Sequence, residues 1–206
     1  DGGQSRAINT GIKWARGEVV GWLCSDDYLL PGALSRVSDF FSKNEDVGFV
    51  WGDALLVDEG EKFISYKREP KFRPFIALFD HNYLPQPACF WRRSLFNAID
   101  GLDDELTVTM DLDLWLRMLP GVKQAHLPFP LAVMRQHPEQ KVQRLASELQ
   151  LEIEALRSRY RKKHYFARMP MIGRLARICR IVDKFLVGGY ARRLASMQNI
   201  DSMLLK

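Results

Sequence analysis

Cysteine is scarce in this chain. Cys24, Cys89 and Cys179 are far apart and odd in number among 206 residues. Such a set excludes a disulfide framework. No CxxC and no Cys/His pairing at metal-ligand spacing occurs, so a reducing compartment is expected. No apolar run reaches the roughly 18 residues needed to cross a bilayer. The longest candidate, Ile172 to Val187, is broken by Arg174, Arg177, Arg180, Asp183 and Lys184. Residues 1–12 are polar and glycine-rich, unlike a secretory leader, and the first residue is Asp1 rather than methionine. Internal repeats and low-complexity tracts are absent as well. These absences leave a cytoplasmic globular protein as the expectation.

Apolar residues make up 47% of the chain, too many for a disordered segment. The net charge of +5 hides a split. Residues 1–140 carry 15 Lys and Arg against 20 Asp and Glu, while residues 141–206 carry 15 against 5. An acidic body, residues 1–139, therefore precedes a basic helical tail, residues 140–206. A basic tail binds a membrane surface, binds nucleic acid, or is a solvated helix face. In the tail, Ile172, Leu175, Ala176, Cys179, Val182, Phe185 and Leu186 fall on one helical face, with Arg174, Arg177, Arg180 and Lys184 mostly off it. That pattern suits a helix lying on anionic lipid, peripheral on the inner face of the membrane, or one packed on the body. Nucleic acid is not an expected partner, because the acidic body lacks a basic, aromatic groove.

The apolar periodicity predicts a helix over residues 5–15, closed by Gly17. Val19 to Leu23 is a short continuous apolar run, expected as a buried strand of a parallel sheet. A helix through about Lys43 follows Pro31. Strands are expected near residues 47–57, 62–66, 88–91, 123–127 and 131–136, and helices near 92–99, 111–119 and 140–160. Strands alternating with helices predict an α/β sandwich.

Asp26 and Asp27 sit where the first strand leaves the sheet, the edge at which open α/β sheets bind ligands. Adjacent carboxylates repel unless a cation neutralises them. Oxygen ligands without histidine or cysteine partners of the zinc type suit Mg²⁺ or Mn²⁺. The plain alternative is a solvated acidic loop before a helix. Asp111, near the start of its helix, is either a first-turn acid favoured by the dipole or a carboxylate that takes a proton from a hydroxyl. Trp115 on that helix is core or an acceptor platform. His137, at a strand exit, is a polar exit residue or a contributor to a metal or phosphate site. Gln86, held between Pro85 and Pro87, is loop chemistry or a contact to a substrate hydroxyl.

The ordered set carries more than its parts. Asp1-Gly2-Gly3-Gln4-Ser5-Arg6-Ala7-Ile8-Asn9-Thr10-Gly11, then Gly17-Glu18-Val19-Val20-Gly21-Trp22-Leu23-Cys24-Ser25-Asp26-Asp27 and Pro31-Gly32-Ala33-Leu34, resemble glycosyltransferase family 2. Gln86 to Arg93, Gly101-Leu102-Asp103, Met110 to Arg117 and Arg135-Gln136-His137 follow in that family's order. The resemblance covers about residues 1–140. It implies a GT-A-like (Rossmann-like) α/β fold, with a mixed sheet sandwiched by helices.

The resemblance further implies transfer of a sugar, with inversion, from a nucleotide-diphosphate sugar to a sugar or lipid-linked acceptor hydroxyl. Polysaccharide or glycolipid synthesis is the setting it implies. Asp26 and Asp27 match the motif that holds a divalent ion on the donor diphosphate, with His137 as a further metal contact. Asp111 matches the base. Arg6 and Asn9 border the nucleotide, and Gln86 and Trp115 face the acceptor. Three departures stand out: Cys24 where many relatives have Asp or Asn, Met110 where many have Glu, and no Gln-x-x-Arg-Trp motif. The last argues for one sugar per event. Relatives also begin with a strand–helix–strand half that holds the nucleotide base and ribose. Its absence makes this chain, on the resemblance, a fragment. A metal-dependent phosphoester hydrolase and a non-catalytic binding module remain the rival expectations.

Overall fold

The computed structural model describes residues 2–190. In chain order the elements are α1 (Gln4–Trp14), β1 (Val19–Val20), β2 (Tyr28–Leu29), α2 (Ala33–Lys43), β3 (Phe49–Val57), β4 (Phe63–Lys67), α3 (Pro74–Phe79), β5 (Cys89–Arg92), α4 (Arg93–Asn97), α5 (Met110–Met118), β6 (Gln124–Arg135), α6 (Lys141–Arg144), α7 (Ala146–Lys163) and α8 (Ile172–Leu186).

The sheet is mixed, in the order β1-β5-β3-β6-β2, with β4 pairing the second half of β3. Its centre is β3, which runs parallel to β6 and antiparallel to β4 and β5. Side chains of a strand alternate between faces, and β3 uses both. Phe49 and Trp51 join the core under α1, α3, α5, α7 and α8. Val50 and Ala54 join a second core with Val37 and Phe41 of α2. Helices on both faces of a mixed sheet are the sandwich expected from the alternation of elements.

Two strand expectations are corrected. The run from Val19 to Leu23 forms only a two-residue strand, antiparallel to β5 and at the sheet edge. It is not enclosed as a parallel strand would be: Val20 is buried, whereas Leu23 is exposed. Among the described residues no strand pairs with its outer edge, where an apolar groove of about 710 Å³ opens between α1 and α2. The expected strands at 123–127 and 131–136 are one strand, β6. Its register against β3 shifts around Gly52 and Asp53, opposite Leu127 and Pro130. Proline donates no ladder hydrogen bond, so Pro128 and Pro130 displace the ladder without ending it. Asp53 there is fully buried. It accepts hydrogen bonds from Tyr66 (2.6 Å) and Arg68 (2.7 Å) and lies 2.7 Å from His126 Nε2.

The tail folds back on the body. Glu152 of α7 accepts hydrogen bonds from the backbone N–H groups of Thr107, Val108 and Thr109 and from the Thr109 hydroxyl, at 2.7–3.0 Å. It thus supplies the carboxylate that the N-terminus of α5 favours. Helix α8 rests on α3 through Ile172 and Ala176, both buried. Ion pairs from Arg180 to Asp80 and from Lys184 to Glu69 fasten it. The expected single apolar face of this helix is therefore divided. Ile172, Ala176 and Cys179 turn inward, while Leu175, Val182, Phe185 and Leu186 are exposed. The remainder of the expected tail, residues 191–206, lies outside the described residues.

Candidate active site

The loop leaving β1 carries Cys24, Ser25, Asp26 and Asp27. The Asp27 N–H donates to the Cys24 carbonyl (3.2 Å), closing a turn. Strand β2 then pairs with β6 at Tyr28–Val133, which brings the loop to the exit of β6. There the Arg135 N–H donates to Asp27 Oδ1 (3.1 Å), and His137 Nε2 lies 3.2 Å from Asp26 Oδ2. The sheet therefore joins two motifs more than a hundred residues apart in sequence. Asp26, Asp27 and His137, singled out from the sequence as metal ligands, are neighbours. Ligand atoms of Cys24, Asp26 and Asp27 lie within 4.8 Å of one another. Burial, opposed by the Arg135 hydrogen bond, pushes Asp27 up to about 6, and the Asp26 charge adds to the rise. Half-buried carboxylates this close suit a cation. The two carboxylates fit Mg²⁺ or Mn²⁺ with open positions, and the Cys24 thiol beside them, kept protonated by burial, is no thiolate ligand.

Cys24 extends the set on the other side. Gln4 Nε2 lies 3.6 Å from its sulfur, and the sulfur lies 3.9 Å from Gln86 Oε1. Burial raises the thiol to about 11, and the charges of Asp27, Asp26 and Asp111 add to the rise. Gln86 is fixed by a hydrogen bond to the Trp22 carbonyl (2.9 Å). Gln4 also accepts from Lys141 Nζ (3.0 Å), so the basic tail enters the site at its first turn.

Asp111 stands in the first turn of α5. Its Oδ1 accepts from the Leu112 N–H and its Oδ2 from Asn82 Nδ2, both at 2.7 Å. Burial outweighs these bonds and pushes its pKa up to about 6. A carboxylate poised there accepts a proton near neutral pH. Asn82 Oδ1 is buried and has no hydrogen-bond partner among the described residues. Such an orphan acceptor is costly unless a ligand or water donates to it. Asn82, Gln4 and Lys141 were not among the residues expected from sequence. Gln4 lies in the first family-like segment without an expected role, Asn82 and Lys141 belong to no motif, and only the fold sets the three together with the expected residues.

Three expected site residues have other work. Trp115 is fully buried, stacked 6.0 Å from Trp22 and edge-on to Trp91 at 5.4 Å. It is core, and its ring offers no acceptor platform. Asn9 spends its amide on the Leu102 backbone, with Oδ1 accepting and Nδ2 donating at 2.9 Å, and on Asp104 at 2.8 Å. It clamps α1 to the Gly101-Leu102-Asp103 turn. Gly101 has φ 76°, and a Cβ there would lie 2.6 Å from Asn9 Oδ1, so both geometry and space require glycine. Arg6 is exposed and pairs with Asp104 at 3.3 Å. These contacts explain Arg6, Asn9 and Gly101 without a nucleotide.

Comparison with known proteins bears on the family and the fold. Residues 1–100 match the family model "Glycosyl transferase family 2". An uncharacterized glycosyltransferase of Rickettsia typhi is 28% identical over 180 residues, covering 84% of this chain and 56% of the relative. A chondroitin synthase of Pasteurella multocida is 26% identical over 134 residues, covering 62% of this chain and 13% of the synthase. Among solved structures, S. aureus TarS 1–349 in complex with UDP-GlcNAc superposes with a TM-score of 0.53 at 17% identity. The match covers 76% of this chain and 47% of that one. The same protein in complex with UDP gives 0.53 at 19% identity, covering 75% and 44%. The chain thus spans about half the length of the first of these relatives and of the TarS structures, and shares with TarS the GT-A fold expected from the sequence. Residues 1–100 thus match glycosyl transferase family 2, and the fold agrees with that match.

Proposed function

We propose that the protein transfers a sugar from a uridine-diphosphate sugar to an acceptor hydroxyl, with inversion at the anomeric carbon. The observation that carries this is the pairing of a cation-suited carboxylate loop, Asp26 and Asp27, with a half-buried carboxylate, Asp111, raised to about 6. The uridine donor is inferred from TarS, whose structures contain UDP and UDP-GlcNAc.

Asp26 and Asp27, with His137 beside them, would hold Mg²⁺ or Mn²⁺, which when bound neutralises charge on the diphosphate. Lys141 adds a cation at the rim, beside Gln4. Asp111 takes the proton from the acceptor hydroxyl as the oxygen attacks the face opposite the leaving group. Asn82 holds Asp111 by its amide N–H, and its free Oδ1 can accept from a second acceptor hydroxyl. Gln86, fixed on the Trp22 carbonyl beside Cys24, is the proposed further contact to the acceptor. The expected setting is synthesis of a cell-surface saccharide or glycolipid.

The test is incubation with labelled UDP-sugars, Mn²⁺ and a panel of saccharide and lipid-linked acceptors. Sugar transferred with inverted linkage, lost on chelation, is the expected result. Nucleotide release that needs no acceptor and forms no glycoside would instead make the site a hydrolase. Tight donor binding without turnover would make it a binding module.

A further inference from the structure

Eleven of the eighteen exposed large apolar side chains among the described residues fall within residues 165–190. Scattered exposed apolar residues need no explanation, but a concentration on one element does. Met171, Leu175, Ile178, Val182 and Phe185 recur at spacings of four and three, which places them on one stripe of the helical surface. All five are exposed, and Phe185 is 74% exposed. The stripe is not the face that docks on the body. That face is formed by Ile172 and Ala176, reinforced by the Arg180–Asp80 and Lys184–Glu69 ion pairs. Helix α8 is thus held firmly on one side and presents a second apolar side outward.

Charge identifies the occupant. Residues 141–190 contain twelve Lys and Arg against four Asp and Glu. Arg174 borders the stripe, and Arg177, also exposed, lies further round the helix beside Asp80. Two copies of the helix packed stripe to stripe would bring these like charges together, whereas helical pairing favours opposite charges beside an apolar seam. No described helix is long and apolar enough to cross a membrane. An apolar stripe with a basic rim on a helix of this length suits the boundary between acyl chains and anionic headgroups.

We propose that the outward stripe of α8 seats the protein on an anionic phospholipid surface. The seating reaches the chemical site through one short loop. Arg180 of α8 holds Asp80, and two residues further Asn82 holds Asp111. That loop ties the seated helix to the proposed acceptor side, so the acceptor class is a lipid-linked saccharide. Only this last step rests on the transferase reading. Vesicle binding needs neither donor nor cation, so a failure of the seating and a failure of the transferase reading are told apart.

The experiment is co-sedimentation of the full chain with vesicles of phosphatidylcholine alone and of an equal mixture with phosphatidylglycerol. Binding is expected to the mixed vesicles, weakening as salt is raised. The double variant Ile178→Glu with Phe185→Glu should lose at least about tenfold in partitioning, because two apolar insertions are replaced by repelled charges. Arg174→Glu, which leaves the stripe intact, should weaken binding to the mixed vesicles alone. Circular dichroism checks that both variants keep their helices, and sedimentation velocity follows their oligomeric state. Undiminished vesicle binding by the folded double variant would overturn the proposal. So would a dimer that the double variant disperses in a protein that ignores vesicles, which would assign the stripe to a second copy.

Discussion

Replacing Asp111 by Asn separates catalysis from stability in opposite directions. The folded-state pKa of Asp111 is raised from 3.8 to about 6 by burial. The folded protein therefore keeps a proton that the unfolded chain has released. Its stability is unaffected below about pH 4 and falls as pH rises through 6. A shift of about two units corresponds to roughly 3 kcal/mol of strain at pH 8. Asn cannot ionise, so the variant escapes that strain. Against this, one of the two bonds accepted by the carboxylate, from Leu112 N–H or Asn82 Nδ2, becomes a donor facing a donor. That costs about 1 kcal/mol, because Asn82 can rotate its amide and offer Oδ1. The net expectation is a gain of about 2 kcal/mol at pH 8, worth roughly 4–8 °C in a domain of this size, and no gain at pH 4. Asp27, also raised to about 6, cancels in the difference between the two proteins. Transfer should fall by about two to four orders of magnitude, with donor binding retained. Urea unfolding of both proteins from pH 4 to 8, beside initial transfer rates, reads both effects. A stability difference that does not grow with pH would refute the burial argument. Near-normal turnover would remove Asp111 as the base.

Asn82→Ala removes a hydrogen bond that favours the Asp111 carboxylate, so the acid limb of the pH–rate profile should move upward from about 6. A merely structural role would lower the rate without moving that limb. Cys24→Asp adds a third carboxylate to the loop, and Mn²⁺ affinity measured by calorimetry should rise by about tenfold or more. Unchanged affinity would place the cation away from residue 24. Trp115→Ala empties a fully buried site and should cost about 3–5 kcal/mol in urea unfolding. A loss of acceptor affinity with stability intact would restore Trp115 as an acceptor contact.

The sequence by itself determined the local grammar. The periodicity of residues 5–15 and 33–43 marks two helices, and the β-branched run before Asp26 and Asp27 marks a strand, though neither its two-residue length nor its edge position. These signals are legible because they are short-range: side-chain spacing alone decides which face is apolar. Motif order also singled out Asp26, Asp27, His137 and Asp111, of which the fold makes Asp26, Asp27 and His137 neighbours. Tertiary structure decided what spacing cannot encode. It buried Trp115 and turned Asn9 onto Leu102, because an aromatic or amide at a helical position reads alike whether it meets a ligand or the core. It made β6 continuous across two prolines, because a neighbouring strand absorbed the bulge. It brought Asn82 to Asp111, Gln4 to Cys24 and Lys141 to Gln4, contacts that no spacing in the sequence encodes. It also divided α8 between two apolar faces, since only the packing surface of α3 determines which side of a helix water still sees.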